Sequence, residues 1–346
     1  MSHTDDRPTL RITTIDDLLA MIPIAMGFQP ADSLMVAVLD TDGIPFMARL
    51  DLPDPGPTPP ELADAWDRAT AHLTRWRDAR IVLIGYGPAD QVQAAVDTGT
   101  RSLWKAGIPI STVLRVADGH YWHLDHPDTA DGIPFDTTTS PVTAAAVHAG
   151  LVTLPSRDAL AATLDPVTGT ARERMVLATI DACAFLLDLL DAARPDTGNP
   201  DVLDENPDAV LDTPLGLALQ QAARTYLTQV QDSYRAGQPV DDDRAAVLTV
   251  LLSLTSVRDY AARLTSTDAW QQQMWTDLVR RAEPAFTAGP AVLLALCALR
   301  CGDGALAGIA VSRALYADPD DRLAQLLNRV ISAGIDPATV AVLLAA

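Results

Sequence analysis

Arg49 and Asp51 stand two residues apart in one apolar stretch, and Asp32 and Ser33 precede the apolar run before it. In an extended chain, residues at period two share a face, so a guanidinium and a carboxylate would lie side by side with a hydroxyl near them. Such a set suits recognition of a small anionic group by Arg49, or an Arg–Asp pair that pins a hairpin to its turn. Structural pairs are the commoner use. Ser33 has no Gly-x-Ser-x-Gly setting and no histidine in a recognisable triad order, so capping or turn formation is its expected role. Gly85-Tyr86-Gly87-Pro88 falls where a strand should give way to a helix, the place where open α/β sheets hold ligands. Glycines there would let backbone amides approach an anion at a helix N-terminus. Asp90, however, occupies the third glycine position of a dinucleotide fingerprint, and no Walker lysine follows. An ordinary tight turn is therefore expected, with a small-ligand site as its alternative.

Two other groups look like metal sites and are read otherwise. His120, His123 and His126 lie among Asp118, Asp125 and Asp128. Strand alternation would send His123 to the face opposite His120 and His126, so the imidazoles would not converge on one ion. Cys297 and Cys301 are one helical turn apart but sit among Leu293, Leu294, Leu296 and Leu299, which suits packed core thiols. No metal and no cofactor is expected.

The elements that must position these residues are legible in the hydrophobic pattern. Thr14 followed by Asp17 has the form of a capping box and opens a helix ending near Met26-Gly27. Ser33 to Leu39 is a continuous apolar run, suited to a strand buried on both faces. Asp42-Gly43 reads as a hairpin turn leading into a partner strand from Ile44 to Leu52. Beyond the proline-rich spacer Pro53 to Pro60, a helix over Glu61–Arg77, a strand over Arg80–Gly85, a helix over Ala89–Lys105, a strand over Ile110–Val116 and an aromatic strand over Gly119–Leu124 follow. Right-handed crossovers would make the strands at Ile81 and Ile110 parallel neighbours. Asp125 to Ser140 reads as loop.

From about Ala144 the composition turns Ala- and Leu-rich. Helices are expected over Arg172–Ala193, Pro214–Arg235, Arg244–Leu264, Ala269–Ala282, Ala291–Arg300, Ala305–Leu315, Arg322–Ala333 and Pro337–Leu344. The fold class is thus an α/β N-terminal domain, a mixed sheet with flanking helices, over residues 1–150. An all-α helical-hairpin domain follows over residues 151–346. Within it, Leu294, Ala295, Gly302-Asp303, Ala307, Val311, Ala314-Leu315 and Asp318-Pro319 form one tetratricopeptide-like unit. A single unit reads as a stabilising hairpin, since a solenoid needs about three repeats.

Charge bounds the function. The chain has 45 acidic and 25 basic residues, a net charge of −20, and 48% hydrophobic residues with mean hydropathy +0.12. A large core is affordable, while phosphate backbones and anionic lipids are repelled. Arg68, Arg75, Arg77 and Arg80 are the densest cations, but Asp64, Asp67 and Asp78 intervene, giving a solvated helix face. Lys105 is the only lysine, and Glu61, Glu173, Glu205 and Glu283 are the only glutamates. Three cysteines, Cys183, Cys297 and Cys301, are too few for a disulfide framework. The longest apolar run, Ala291 to Leu299, is shorter than the roughly 20 residues of a membrane span. A soluble, cytoplasmic protein is expected.

The opening stretch Ile12–Leu39, with Ala48-Arg49-Leu50-Asp51-Leu52-Pro53, resembles the start of a bacterial family, domain of unknown function 4192. The resemblance continues through Ala117-Asp118-Gly119-His120-Tyr121-Trp122, Ser140 to Gly150, Ser156-Arg157-Asp158, Val257-Arg258-Asp259 and Gly302-Asp303-Gly304. It implies a fold and no catalytic residues. The expected role is a non-catalytic adaptor or regulator acting through a protein partner or self-association. The alternative is an enzyme or sensor that binds a small anionic metabolite or nucleotide through Asp32, Ser33, Arg49, Asp51, Gly85 and Gly87. A nucleic-acid-associated role is the third and least favoured, given the charge.

Overall fold

The computed structural model describes residues 12–40, 43–56, 60–76, 79–126, 131–192 and 214–332. Asp42, Arg77, Asp78, Asp128 and the expected helix Pro337–Leu344 lie outside them. The chain forms two compact units, Met1–Leu160 and Ala161–Ala346, each described by itself below.

The first unit begins with α1 (Ile15–Met26), opened by the expected capping box and closed by Gly27 at φ 75°. β1 (Ser33–Asp40) and β2 (Gly43–Asp51) form a hairpin. Gly43 pairs with Asp40, and Asp42 of the expected Asp42-Gly43 turn lies outside the described residues. The register shifts between Val38 and Asp40, and before that irregularity Leu34, Val36 and Val38 stand opposite Leu50, Ala48 and Phe46. Next come α2 (Pro60–Leu73), β3 (Arg80–Tyr86), α3 (Ala89–Lys105), β4 (Ile110–Ala117) and β5 (His120–His123). The segment expected to be loop contributes a two-residue strand, β6 (Ile133–Pro134), paired with β5. The sheet order is β2-β1-β3-β4-β5-β6, with β3 and β4 parallel as expected and all other neighbours antiparallel.

β1 is an interior strand, between β2 and β3, and is buried from Ser33 to Val38, because helices cover both faces of the sheet. Leu34, Val36, Val38, Ile81 and Leu83 pack with Trp66 of α2 and Val92, Ala95 and Leu103 of α3. Met35, Val82, Ile84, Leu114 and Val116 pack with Leu18, Leu19 and Ile22 of α1. α2 and α3 cross closely where a Cβ on Gly99 would lie 2.1 Å from the Trp66 ring.

α4 (Pro141–His148) packs against α1, and the two helix starts share one carboxylate. Asp17, 5% exposed, accepts hydrogen bonds from Thr13 N, Thr13 Oγ1 and Thr14 N at 3.1, 2.8 and 3.1 Å. Ser140 Oγ donates to its other oxygen at 2.8 Å and itself accepts from Val142 N, capping α4. Burial would raise the Asp17 pKa, yet the bonds from Ser140, Thr13 and Thr14 outweigh it and hold the carboxyl at about 2, below the ordinary 3.8.

α5 (Arg157–Ala162) carries the division between the units. The second unit contains α6 (Gly169–Ala192), α7 (Pro214–Arg235), α8 (Asp242–Leu251), α9 (Thr255–Arg263), α10 (Ala269–Arg281), α11 (Ala288–Arg300), α12 (Gly304–Ala317) and α13 (Arg322–Ser332). The helix expected over Arg244–Leu264 is two helices, turned by 107° from one another. Ser253 ends the first: its N–H and hydroxyl both donate to Val250 O, at 3.1 and 2.7 Å. Gly289 of α11 also presses on the break, since a Cβ there would stand 2.8 Å from Leu252 O.

α11 is buried from Ala288 to Leu299 and forms a hairpin with α12. The longest apolar run is therefore a core helix. Among the described residues, no single helix is long and apolar enough to cross a membrane. Two polar knots lock the bundle. Arg258 of α9 pairs with Asp321, both side chains being buried, and Asp321 accepts from Ala324 N at the start of α13. Arg281 of α10 reaches Asp277, Asp242 and Val240 O at 3.0, 2.7 and 3.0 Å, while Arg174 of α6 holds the other oxygen of Asp242.

Candidate functional site

Five of the six expected ligand residues meet at one corner of the sheet. Asp32, at φ 43°, turns the chain into β1 and its carbonyl accepts from Leu52 N at 3.0 Å. Ser33 then lies directly between Asp51 on β2 and Tyr86 on β3. Opposed residues in antiparallel pairs hold their Cβ atoms about 4.5–5.5 Å apart, so the three side chains are neighbours. Arg49 shares their face by period two and binds Asp51 through Nη1 at 2.7 Å. Asp51 is 82% exposed, so this is a surface ion pair worth at most about 1 kcal/mol, not a buried clasp.

Beneath that pair, three polar atoms lack partners. Ser33 Oγ, Arg49 Nε and Tyr86 Oη are all buried without a hydrogen bond. Burial raises the Tyr86 pKa, which keeps the phenol protonated as a donor. A hydroxyl, a phenol and a guanidinium N–H on adjacent registers can together satisfy the oxygens of a carboxylate or phosphate. Left without an acceptor, each costs about 1–3 kcal/mol of desolvation. Tyr86 was not singled out from the sequence, where it reads only as the spacer of Gly-Tyr-Gly. Its significance depends on the strand register that places it across from Ser33.

The two glycines serve packing. Gly85 faces α3, on the other side of the sheet, where a Cβ would lie 2.3 Å from Val92 Cγ1, so it stands apart from the corner. Gly87, at φ 142°, is backed by Leu52 and Asp32, at 2.9 and 3.4 Å from a Cβ placed there. Its N–H donates to Val116 O and its carbonyl accepts from Arg115 Nε at 3.0 Å. The Gly87 amide is thus engaged by the sheet.

The histidines divide as alternation requires, with one correction. His120 lies near Trp122, while His123 lies near Tyr121. His126 follows the end of β5, where the chain bends, and its ring stands 5.9 Å from that of His123, not beside His120. Among the described residues, no group of three or more metal-ligating side chains occurs. Cys297 is buried and its thiol donates to Ser266 O at 3.4 Å, while Cys301 approaches Thr267 O at 3.6 Å. The hydrogen bond with Cys301, then burial, raises the Cys297 pKa, as befits an unreactive thiol.

A cavity of about 270 Å³ lies between α1 and α4, lined by Pro23, Ile24, Gln29, Thr143, Val147 and Leu151 among others. It contains none of the expected site residues. In the second unit the salient surface feature is on α6. Leu177, Ile180 and Leu187 are 65%, 59% and 62% exposed, whereas Met175, Ala178 and Ala182 on the same helix are buried in the bundle.

A family model described as domain of unknown function (DUF4192) matches residues 16–338. No curated protein and no solved structure matches the chain.

Proposed function

The chain belongs to the DUF4192 family, and from that premise we propose that it is a non-catalytic adaptor or regulator that works through protein–protein contacts. The observation that carries this reading is the exposed apolar stripe of α6. A helix apolar on two faces is normally covered on both, and large apolar patches left in water mark interaction sites. The tetratricopeptide-like spacing of α11 and α12 fits the same reading as a support: α11 is enclosed by the bundle, where it packs against α9, α10, α12 and α13. Affinity purification from native cells, compared between the wild type and Ile180→Asp, tests it. A stoichiometric partner, or a second copy, that is lost in the variant is the expected result. Recovery of no partner, or an identical set in both, would refute it.

The three unpartnered donors at the sheet corner favour a second reading, recognition of a small anionic metabolite. A ligand present at 100 times its dissociation constant stabilises the folded state by about 2.7 kcal/mol. Thermal-shift screening with nucleotides and phosphorylated metabolites should reveal it. Shifts unchanged by Arg49→Ala would count against that site. For nucleic acid, no specific observation stands against the net charge of −20.

A further inference from the structure

We infer that the exposed face of α6 receives a basic amphipathic helix of a partner protein, an inference that rests on the protein-contact reading and names the partner's chemistry. At 3.6 residues per turn, Leu177, Ile180, Ala184 and Leu187 fall within about 80° of one another on the helix circumference, and all four are exposed. Ala184 between larger residues leaves a notch of the kind into which a facing helix inserts a side chain. The stripe runs about 15 Å along the axis, close to three turns of an incoming helix.

The charges around it choose the occupant. Exposed Asp181 and Asp188 line one flank, and Glu173 and Asp191 stand at the two ends. The cations of the same helix are engaged within the bundle: Arg174 pairs with Asp242 at 2.7 Å and Arg172 with Glu283 at 3.1 Å. The frame of the stripe is therefore acidic. A second copy fits the apolar residues but not the acids. Antiparallel pairing that sets Leu177 against Leu187 and Ile180 against Ala184 brings Asp181 beside its twin and Glu173 opposite Asp191. A parallel pair sets each acid against itself. Both add to repulsion between two chains of charge −20. An anionic membrane surface is repelled by the same frame. A helix with leucines at i, i+3, i+7 and i+10 and arginines beside them meets apolar with apolar and cation with carboxylate, which is the helix-on-face mode of recognition.

The test uses two synthetic helices of about 18 residues, long enough to span Glu173 to Asp191. They share one leucine register and differ in carrying arginine or glutamate on the flanks. Fluorescence anisotropy with the full chain should show the arginine peptide binding about tenfold or more tighter than the glutamate peptide, and weakening as salt rises. Ile180→Asp should abolish binding. Asp181→Asn with Asp188→Asn, an exposed and nearly isosteric pair of changes, should weaken it about three- to tenfold and flatten its salt dependence. Equal binding of both peptides, or binding that survives Ile180→Asp, overturns the inference. If sedimentation instead shows a dimer abolished by Ile180→Asp, and the arginine peptide does not dissociate it, the protein-contact reading stands and the basic partner is refuted.

Discussion

Replacing Asp17 by Asn removes one charge from the junction of α1 and α4 while nearly keeping its shape. The carboxylate accepts from Thr13 N, Thr13 Oγ1, Thr14 N and Ser140 Oγ, and these bonds hold its pKa at about 2 instead of 3.8. That gap corresponds to about 2.5 kcal/mol of preference for the ionised form in the folded state. Asn is close to a protonated carboxyl that cannot ionise, so the variant should be about 2–3 kcal/mol less stable at pH 7. The sign with pH follows from a depressed folded-state pKa. The stabilisation is fully present above 3.8, declines as pH falls toward about 2, and is gone below that. Urea titrations followed by circular dichroism should therefore show the variant midpoint displaced by about 1 M at pH 7, with the two proteins converging between pH 4 and about pH 2. Ser140→Ala should cost about 1–2 kcal/mol, from one hydrogen bond and the α4 cap, and should be less than additive with Asp17→Asn. A deficit under about 0.5 kcal/mol at pH 7, or one that stays constant down to the lowest pH, would refute the shared-carboxylate account.

Other substitutions probe the remaining parts. Gly99→Ala drives a methyl to within 2.1 Å of the Trp66 ring and should cost about 1–3 kcal/mol by overpacking; thermal melts of Gly99→Ala alone and with Trp66→Phe will show whether a smaller ring restores stability. Arg258→Met strands the Asp321 carboxylate in the bundle and should destabilise the second unit by about 3–5 kcal/mol, whereas adding Asp321→Asn should recover part of that in denaturant titrations. Ser33→Ala removes a buried hydroxyl without a partner, so in ligand-free protein it should be neutral or slightly stabilising; a loss above about 1 kcal/mol in chemical denaturation would show that the hydroxyl is satisfied.

Much of the fold was legible because its signals are local. The Thr14–Asp17 box and Gly27 bound α1 through neighbouring backbone groups, and the unbroken apolar run of β1 follows from helices on both faces of the sheet. The parallel pairing of β3 with β4 follows from the helix between them. The candidate corner was legible only in part. Arg49 and Asp51 were found by period two and Ser33 by its place in the turn, but Tyr86 and the absence of partners for its hydroxyl depend on cross-strand register. The break between α8 and α9 was missed because Ser253 alone is a weak stop signal, and the Gly289 contact that reinforces it comes from a helix more than thirty residues away in sequence.

By itself, then, the sequence determined where α1 begins and ends, that β1 is a strand covered on both faces, and the strong acidity of the chain. Tertiary structure decided that Asp17 serves two helices, since Ser140 is 123 residues away from it in the chain. It also decided which apolar face of α6 is covered. Both faces of that helix are apolar, so periodicity cannot distinguish them; packing against α8 buries Met175, Ala178 and Ala182 and leaves Leu177, Ile180 and Leu187 in water. Burial is a property of what lies across from a residue, and a one-dimensional pattern specifies that only when one face is polar.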